Sequence, residues 1–164
     1  MIKKDFSENF NIDSLKQEYE SLKGKYKLPG FTELNTLFEI EDIDFESELL
    51  LKKIRRMISD KIAGYMRFTE ILLNPSNAPL YFFNLINKLD EKDKVKLNEI
   101  YSRLGQFEIE LISLDLDYSE EKEAQFIKKC FKTFNDEIRL DLLNVVKKLN
   151  SEDKTKKRDR DYFG

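Results

Sequence analysis

The residues able to do chemistry are few, and the missing types decide most of the reading. The chain of 164 residues contains no histidine and one cysteine, Cys130. Without histidine there is no imidazole general base, no proton shuttle near neutral pH and no imidazole zinc ligand. A single thiol makes neither an intramolecular disulfide nor a thiolate cluster, and it fits a reducing compartment. Asp115 and Asp117, in SLDLDYSEE, resemble an acidic metal-binding pair. Magnesium, however, needs carboxylate oxygens converging at about 2 Å, usually with a phosphate substrate. These two acids straddle the end of one helical run just before another begins, where capping and solvation account for them. Glu108 and Glu110 are two apart and point to different sides of a helix. A di-iron bundle would need Glu-x-x-His pairs, which this chain lacks. Cys130 lies among Ile127, Phe131 and Phe134, so it reads as a small buried hydrophobe rather than a nucleophile. No glycine-rich phosphate loop is present. The expectation is a non-enzymatic protein with no catalytic residue, cofactor or metal.

Phosphate contact is the other chemistry to weigh. The run Lys52-Lys53-Ile54-Arg55-Arg56 is basic, but Glu48, Lys52, Arg56 and Asp60 lie at successive i,i+4 steps and form an alternating ladder. Lys53 and Arg55 are left over. With Lys156, Lys157 and Arg158 of the tail they are the candidate nucleic-acid contacts. The net charge of −3 disfavours a dedicated nucleic-acid binder. An opposite bias precedes that run. Glu33, Glu39, Glu41, Asp42, Asp44, Glu46 and Glu48 occur without a lysine or arginine among them, interleaved with Phe38, Ile40, Ile43 and Phe45. The segment reads as a connector pinned by its apolar residues, in preference to an acidic surface for a basic partner.

The elements that would position these residues are helices. Charged residues make up 37% and apolar residues 40%, while Pro is 3 and Gly is 5, too few for the many turns of an all-β chain. From Asp44 to Leu73, apolar side chains recur at Leu51, Ile54, Ile58, Tyr65, Phe68 and Leu72, with Ile62 filling the gap beside Lys61. Asp44 is expected to cap the start, and Asn74-Pro75 to end the run. A second helix is expected from about Glu91 to Leu116, with a seam of Leu97, Ile100, Leu104, Phe107, Leu111, Leu114 and Tyr118 alternating by three and four, and Asp90 with Asp93 as a capping box. A third runs from about Glu120 to Leu149, capped by Ser119. Its seam of Ala124, Ile127, Phe131, Phe134 and Ile138 then steps by four to Leu142, a stutter. The connector between the last two is so short that they form an antiparallel hairpin. At 1.5 Å per residue each long helix spans roughly 40 Å. Gly64 and Gly105 fall mid-helix, each costing about 1 kcal/mol relative to Ala, for which close approach or a kink is the usual reason.

Shorter helices are expected from Asp13 to about Lys23, stopped by Gly24; after a Thr32 cap; and from about Ala78 to Leu89 after a Ser76 or Asn77 cap. In the last, PLYFFNLINKL, Phe82, Leu85, Ile86 and Leu89 share the bundle-facing side. Leu80 and Phe83 fall on the other side as an i,i+3 pair, the candidate protein interface unless the N-terminal segment, through Phe6 or Phe10, covers them.

The fold class predicted is all-α: an antiparallel helical bundle of three long helices plus shorter N-terminal and connecting helices. Residues 1–27 form a short helix and loose arm, 28–149 the bundle, and 150–164 a charged disordered tail. No signal peptide or membrane span is expected, which places the protein in the cytoplasm. From Leu28 to Leu149, LPGFTELNTLFEIEDID, the KKIRR helix, NPSNAPLYF and LDLDYSEEKEAQFIKKCFKTF resemble small uncharacterised proteins of archaea. The resemblance implies a prokaryotic helical domain and assigns no site residue. The expected function is binding of a protein partner, or of a second copy as a homodimer. The alternative is an RNA- or ribosome-associated accessory role through the basic residues named above.

Overall fold

The structure, a computed structural model, describes residues 4–43 and 49–151, with side chains from residue 12 onward except Asn77. The organising element is α3 (Leu50–Leu73), which packs against α5 (Glu91–Leu116) and α6 (Glu120–Thr133). Its stripe of Leu51, Ile54, Ile58, Ile62 and Leu72 is buried, with Tyr65 and Phe68 half-buried beside it. Each fully buried aliphatic side chain of this kind contributes about 1.5–3 kcal/mol. Among the described residues there is no strand, so the all-α bundle expected from the periodicity is the fold.

The start of α3 differs from expectation. Asp44, Phe45 and Glu48 lie outside the described residues. The described helix begins at Leu50, and Leu49 caps it by adopting a left-handed conformation (φ 64°) while its carbonyl accepts from Lys53 N–H at 3.1 Å. The preceding connector is pinned as read, since Phe38, Ile40 and Ile43 are buried.

The N-terminal helix α1 (Lys4–Tyr26) is longer than its apolar stripe implied and runs through Gly24. It stops at Lys27, which takes the left-handed conformation, so that Leu28 N–H reaches the Lys23 carbonyl at 3.3 Å. Leu15 and Tyr19 are buried in the same core as α3. The Tyr19 hydroxyl donates to the Pro29 carbonyl at 2.8 Å, tying α1 to the turn before α2 (Phe31–Phe38). Gly30, not Thr32, precedes that helix, and its N–H donates to the Glu33 carboxylate at 3.0 Å.

Two caps match the sequence reading. Asp90 accepts from Asp93 N–H, and Asp93 accepts from Asp90 N–H, both at 2.9 Å, opening α5. Ser119 accepts from Lys122 N–H at 3.5 Å, opening α6. The short α4 (Leu80–Ile86) starts after Pro79 and is briefer than expected. The stutter has a physical counterpart: α6 passes through a π turn, Phe134–Ile138, into α7 (Arg139–Asn150). That wide turn absorbs the extra residue where the seam steps by four, so Phe134, Ile138, Leu142 and Val145 all stay buried.

The antiparallel register of α5 against α6 and α7 is written in charge. Lys96 pairs with Asp141 at 3.2 Å, Arg103 with Glu137, Glu110 with Lys129 at 2.6 Å, and Asp117 with Lys122. The α5 partners step by seven, and their sign reverses halfway. A slip of one heptad would set Arg103 against Lys129, or Glu110 against Glu137. Exposed pairs contribute only about 0–1 kcal/mol each, so the ladder selects register more than it adds stability.

Candidate functional site

Arg55, Asp115, Asp117 and Glu110, among the groups first considered for chemistry, are engaged in ion pairs. Arg55, read from the sequence as a surface cation beside Lys53, is instead 3% exposed. It follows Ile54 on a helix packed on two sides, and its guanidinium turns inward. The Nε lies 3.0 Å from Glu123 Oε1 in hydrogen-bond geometry and 2.8 Å from Oε2 without it, while an Nη contacts Asp115 Oδ1 at 2.7 Å. Burial therefore removes Arg55 from the candidate nucleic-acid contacts. Glu123 is itself 0% exposed. Burial pushes its carboxyl above the ordinary range, and Arg55 pulls it back toward the ionised form. Asp115 is thus spoken for as an arginine partner, and Asp117 as the partner of Lys122. Among the described residues no cluster of three potential ligands gathers to hold a metal. Cys130 is buried, and burial pushes its thiol up, away from the reactive thiolate.

Sequence reasoning missed this ionic cluster, though a signal existed. Leu51, Arg55, Ile58 and Ile62 are spaced four, three and four, so Arg55 occupies a position on the buried stripe. Lys53 is half-buried, and Lys52 Nζ sits 5.8 Å from the Tyr118 ring centroid. Lys156, Lys157 and Arg158 lie outside the described residues.

What remains conspicuous is apolar surface. On α4, Ile86 is buried and Phe82 and Leu85 pack on the bundle end, whereas Leu80 is 87% exposed and Phe83 41%. The pair falls on the outer side, as its spacing implied. Phe6 and Phe10, the proposed cover, have no described side chains. A groove of about 450 Å³ runs between α3 and α7, with Gly64, Tyr65, Phe68, Leu142 and Val146 in its walls. A Cβ on Gly64 would meet nothing within 4 Å, so close packing inside the chain does not require that glycine. On α5, away from the core, Ile109, Ile112 and Leu116 are 68%, 59% and 84% exposed. Their spacing of three and four places them on one stripe.

No protein-family model matches the chain, and comparison with curated proteins and with solved structures found no match. Among the described residues no helix is long and apolar enough to cross a membrane.

Proposed function

We propose that the protein is a non-catalytic helical interaction module whose working surface is the outward face of α5. The observation that carries this reading is the stripe Ile109, Ile112, Leu116, which leaves three large aliphatic side chains in water on a chain otherwise rich in charge. Burying each such side chain against a partner is worth about 1.5–3 kcal/mol, enough for a short stripe to matter to binding. Contiguous exposed apolar surface is the usual mark of a contact site. The exposed pair on α4 is a secondary surface on the same reading.

The test compares the wild-type chain with Ile109→Asp/Leu116→Asp. Both sites are exposed, so the variant is expected to melt like the wild type. Protein species that cross-link to the wild type in lysate, including the chain itself, should be lost from the variant. An unchanged cross-linking pattern overturns the proposal. Retention that disappears on nuclease treatment would instead favour the RNA-associated alternative, through Lys53 and the tail.

A further inference from the structure

Two hollows adjoin where α2, α3 and α7 meet, and no residue of α5 lines either of them. The larger, about 450 Å³, is the groove between α3 and α7, with Gly64 and Phe68 in its walls together with Asp60 and Lys61. The smaller, about 270 Å³, adds α2 through Thr36 and Leu37 and is completed by Phe134, Arg139 and Leu143. Tyr65, Leu142 and Val146 stand in the walls of both. Phe134 and Leu142 are buried, and Leu37, Tyr65 and Phe68 pack half-buried against the same core, so packed helices hold these walls in place. Concave, mainly apolar spaces of about 300–1,000 Å³ with a few polar groups are the usual form of a small-molecule site. Gly64 fits that form. A Cβ there would meet nothing within 4 Å, so packing among the described residues does not call for a glycine that weakens the helix. A large side chain at that position would take up part of the hollow.

The charges in the walls select the ligand. No carboxylate lines the smaller hollow, and its one charged group is Arg139, which forms no ion pair among the described residues. The acids beside it on the chain are engaged elsewhere: Asp136 accepts from Asn135, Glu137 pairs with Arg103 and Asp141 with Lys96. A guanidinium among apolar walls and without a carboxylate of its own matches a ligand carboxylate, which it meets through two parallel N–H donors. The larger hollow has the opposite bias. Lys61 is paired with Glu39, while Asp60 forms no ion pair among the described residues. An anionic head is therefore drawn to Arg139, and the space beside Gly64 and Phe68 is left for an uncharged body. We infer that this cleft binds an amphipathic monocarboxylate of the fatty-acid class, its head on Arg139 and its aliphatic chain laid past Tyr65 toward Phe68. Because Tyr65 is common to both hollows, an occupant of both has to follow the wall past its ring, which a flexible chain does and a rigid ring system does not.

The probes are dodecanoate and dodecylammonium, each kept below its micelle-forming concentration and titrated into the full chain by calorimetry. Dodecanoate is expected to saturate one site per chain, and dodecylammonium to bind at least about tenfold more weakly, since only the carboxylate makes charge-assisted hydrogen bonds to Arg139. Arg139→Glu should reverse that preference. Gly64→Leu should weaken dodecanoate several-fold by filling its space. Both positions are exposed, so neither variant should lower the melting temperature. Ile109→Asp/Leu116→Asp should leave dodecanoate binding as it is, so this inference and the α5 reading stand or fall separately. Absence of saturable dodecanoate binding would overturn the inference. So would equal binding of the two probes, or dodecanoate binding that neither Gly64→Leu nor Arg139→Glu changes. Dodecanoate binding lost from Ile109→Asp/Leu116→Asp but kept in the cleft variants would place the ligand on the α5 face and overturn it as well.

Discussion

Replacing Arg55 by Met tests whether the buried ionic cluster holds the junction of α3, α5 and α6. Met retains much of the arginine stem's volume and removes only the guanidinium. Glu123, 0% exposed, then loses its Arg55 partner, the one cation within hydrogen-bonding distance among the described residues, and Asp115, largely exposed, returns to water. The cost is dominated by the stranded carboxylate, at about 3–5 kcal/mol. For a chain of this size that lowers the melting temperature by roughly 6–20 °C. The pH dependence follows from Glu123. Its folded-state pKa is already above the ordinary value because of burial, and Arg55 supplies the main opposing pull. Without Arg55 it rises further. A raised folded-state pKa gives stability that is fully present below the unfolded value and is lost as pH rises through the folded value. The deficit of Arg55→Met relative to wild type should therefore widen as pH rises above the ordinary carboxyl range toward neutrality, in urea unfolding followed by circular dichroism. The double variant Arg55→Met/Glu123→Leu removes both charges and should lie within about 1 kcal/mol of wild type or above it. A single-variant deficit below about 1 kcal/mol, the value of an ordinary surface pair, would refute the argument. So would a deficit that shrinks as pH rises.

Asp90→Ala removes the side chain that accepts from Asp93 N–H and should cost about 1 kcal/mol in denaturant unfolding; an unchanged midpoint would count against the cap. Gly64→Ala adds a methyl that meets nothing within 4 Å, so thermal unfolding should show a gain of up to about 1 kcal/mol, and a loss would show that the glycine is required for packing. Leu80→Ser/Phe83→Ser should alter sedimentation or cross-linking at less than about 1 kcal/mol of stability cost; unfolding with association unchanged would place the pair in the core. The Cys130 thiol, buried and raised in pKa, should react with a thiol reagent only as fast as the chain unfolds; rapid labelling of native protein would contradict its burial.

Periodicity carried most of the fold, because a helix repeats every 3.6 residues and its buried stripe is therefore a local property of the chain. The seams of α3, α5 and α6–α7 could be read before any packing was known, as could the caps at Asp90 and Ser119. Even the irregularity between Phe134 and Leu142 was legible as a stutter, and it is met by a π turn. Helix ends set by backbone conformation were not legible in the same way. Lys27, Glu39 and Leu49 take left-handed conformations, and nothing in those residue types announces it. The fate of the charges was also hidden. Arg55, Lys53 and Arg56 are neighbours in sequence, yet only the packing of α5 and α6 around α3 decides that Arg55 points inward to Glu123, 68 residues away. An apolar stripe declares itself because every buried position must be apolar or compensated. The stripe position of Arg55 hints at burial, but what compensates the charge is seen only when its partner is, and that partner comes from another helix. The outward seam of α5 belongs to the same class: its spacing is in the sequence, but only the folded bundle shows that it faces solvent while its twin faces the core.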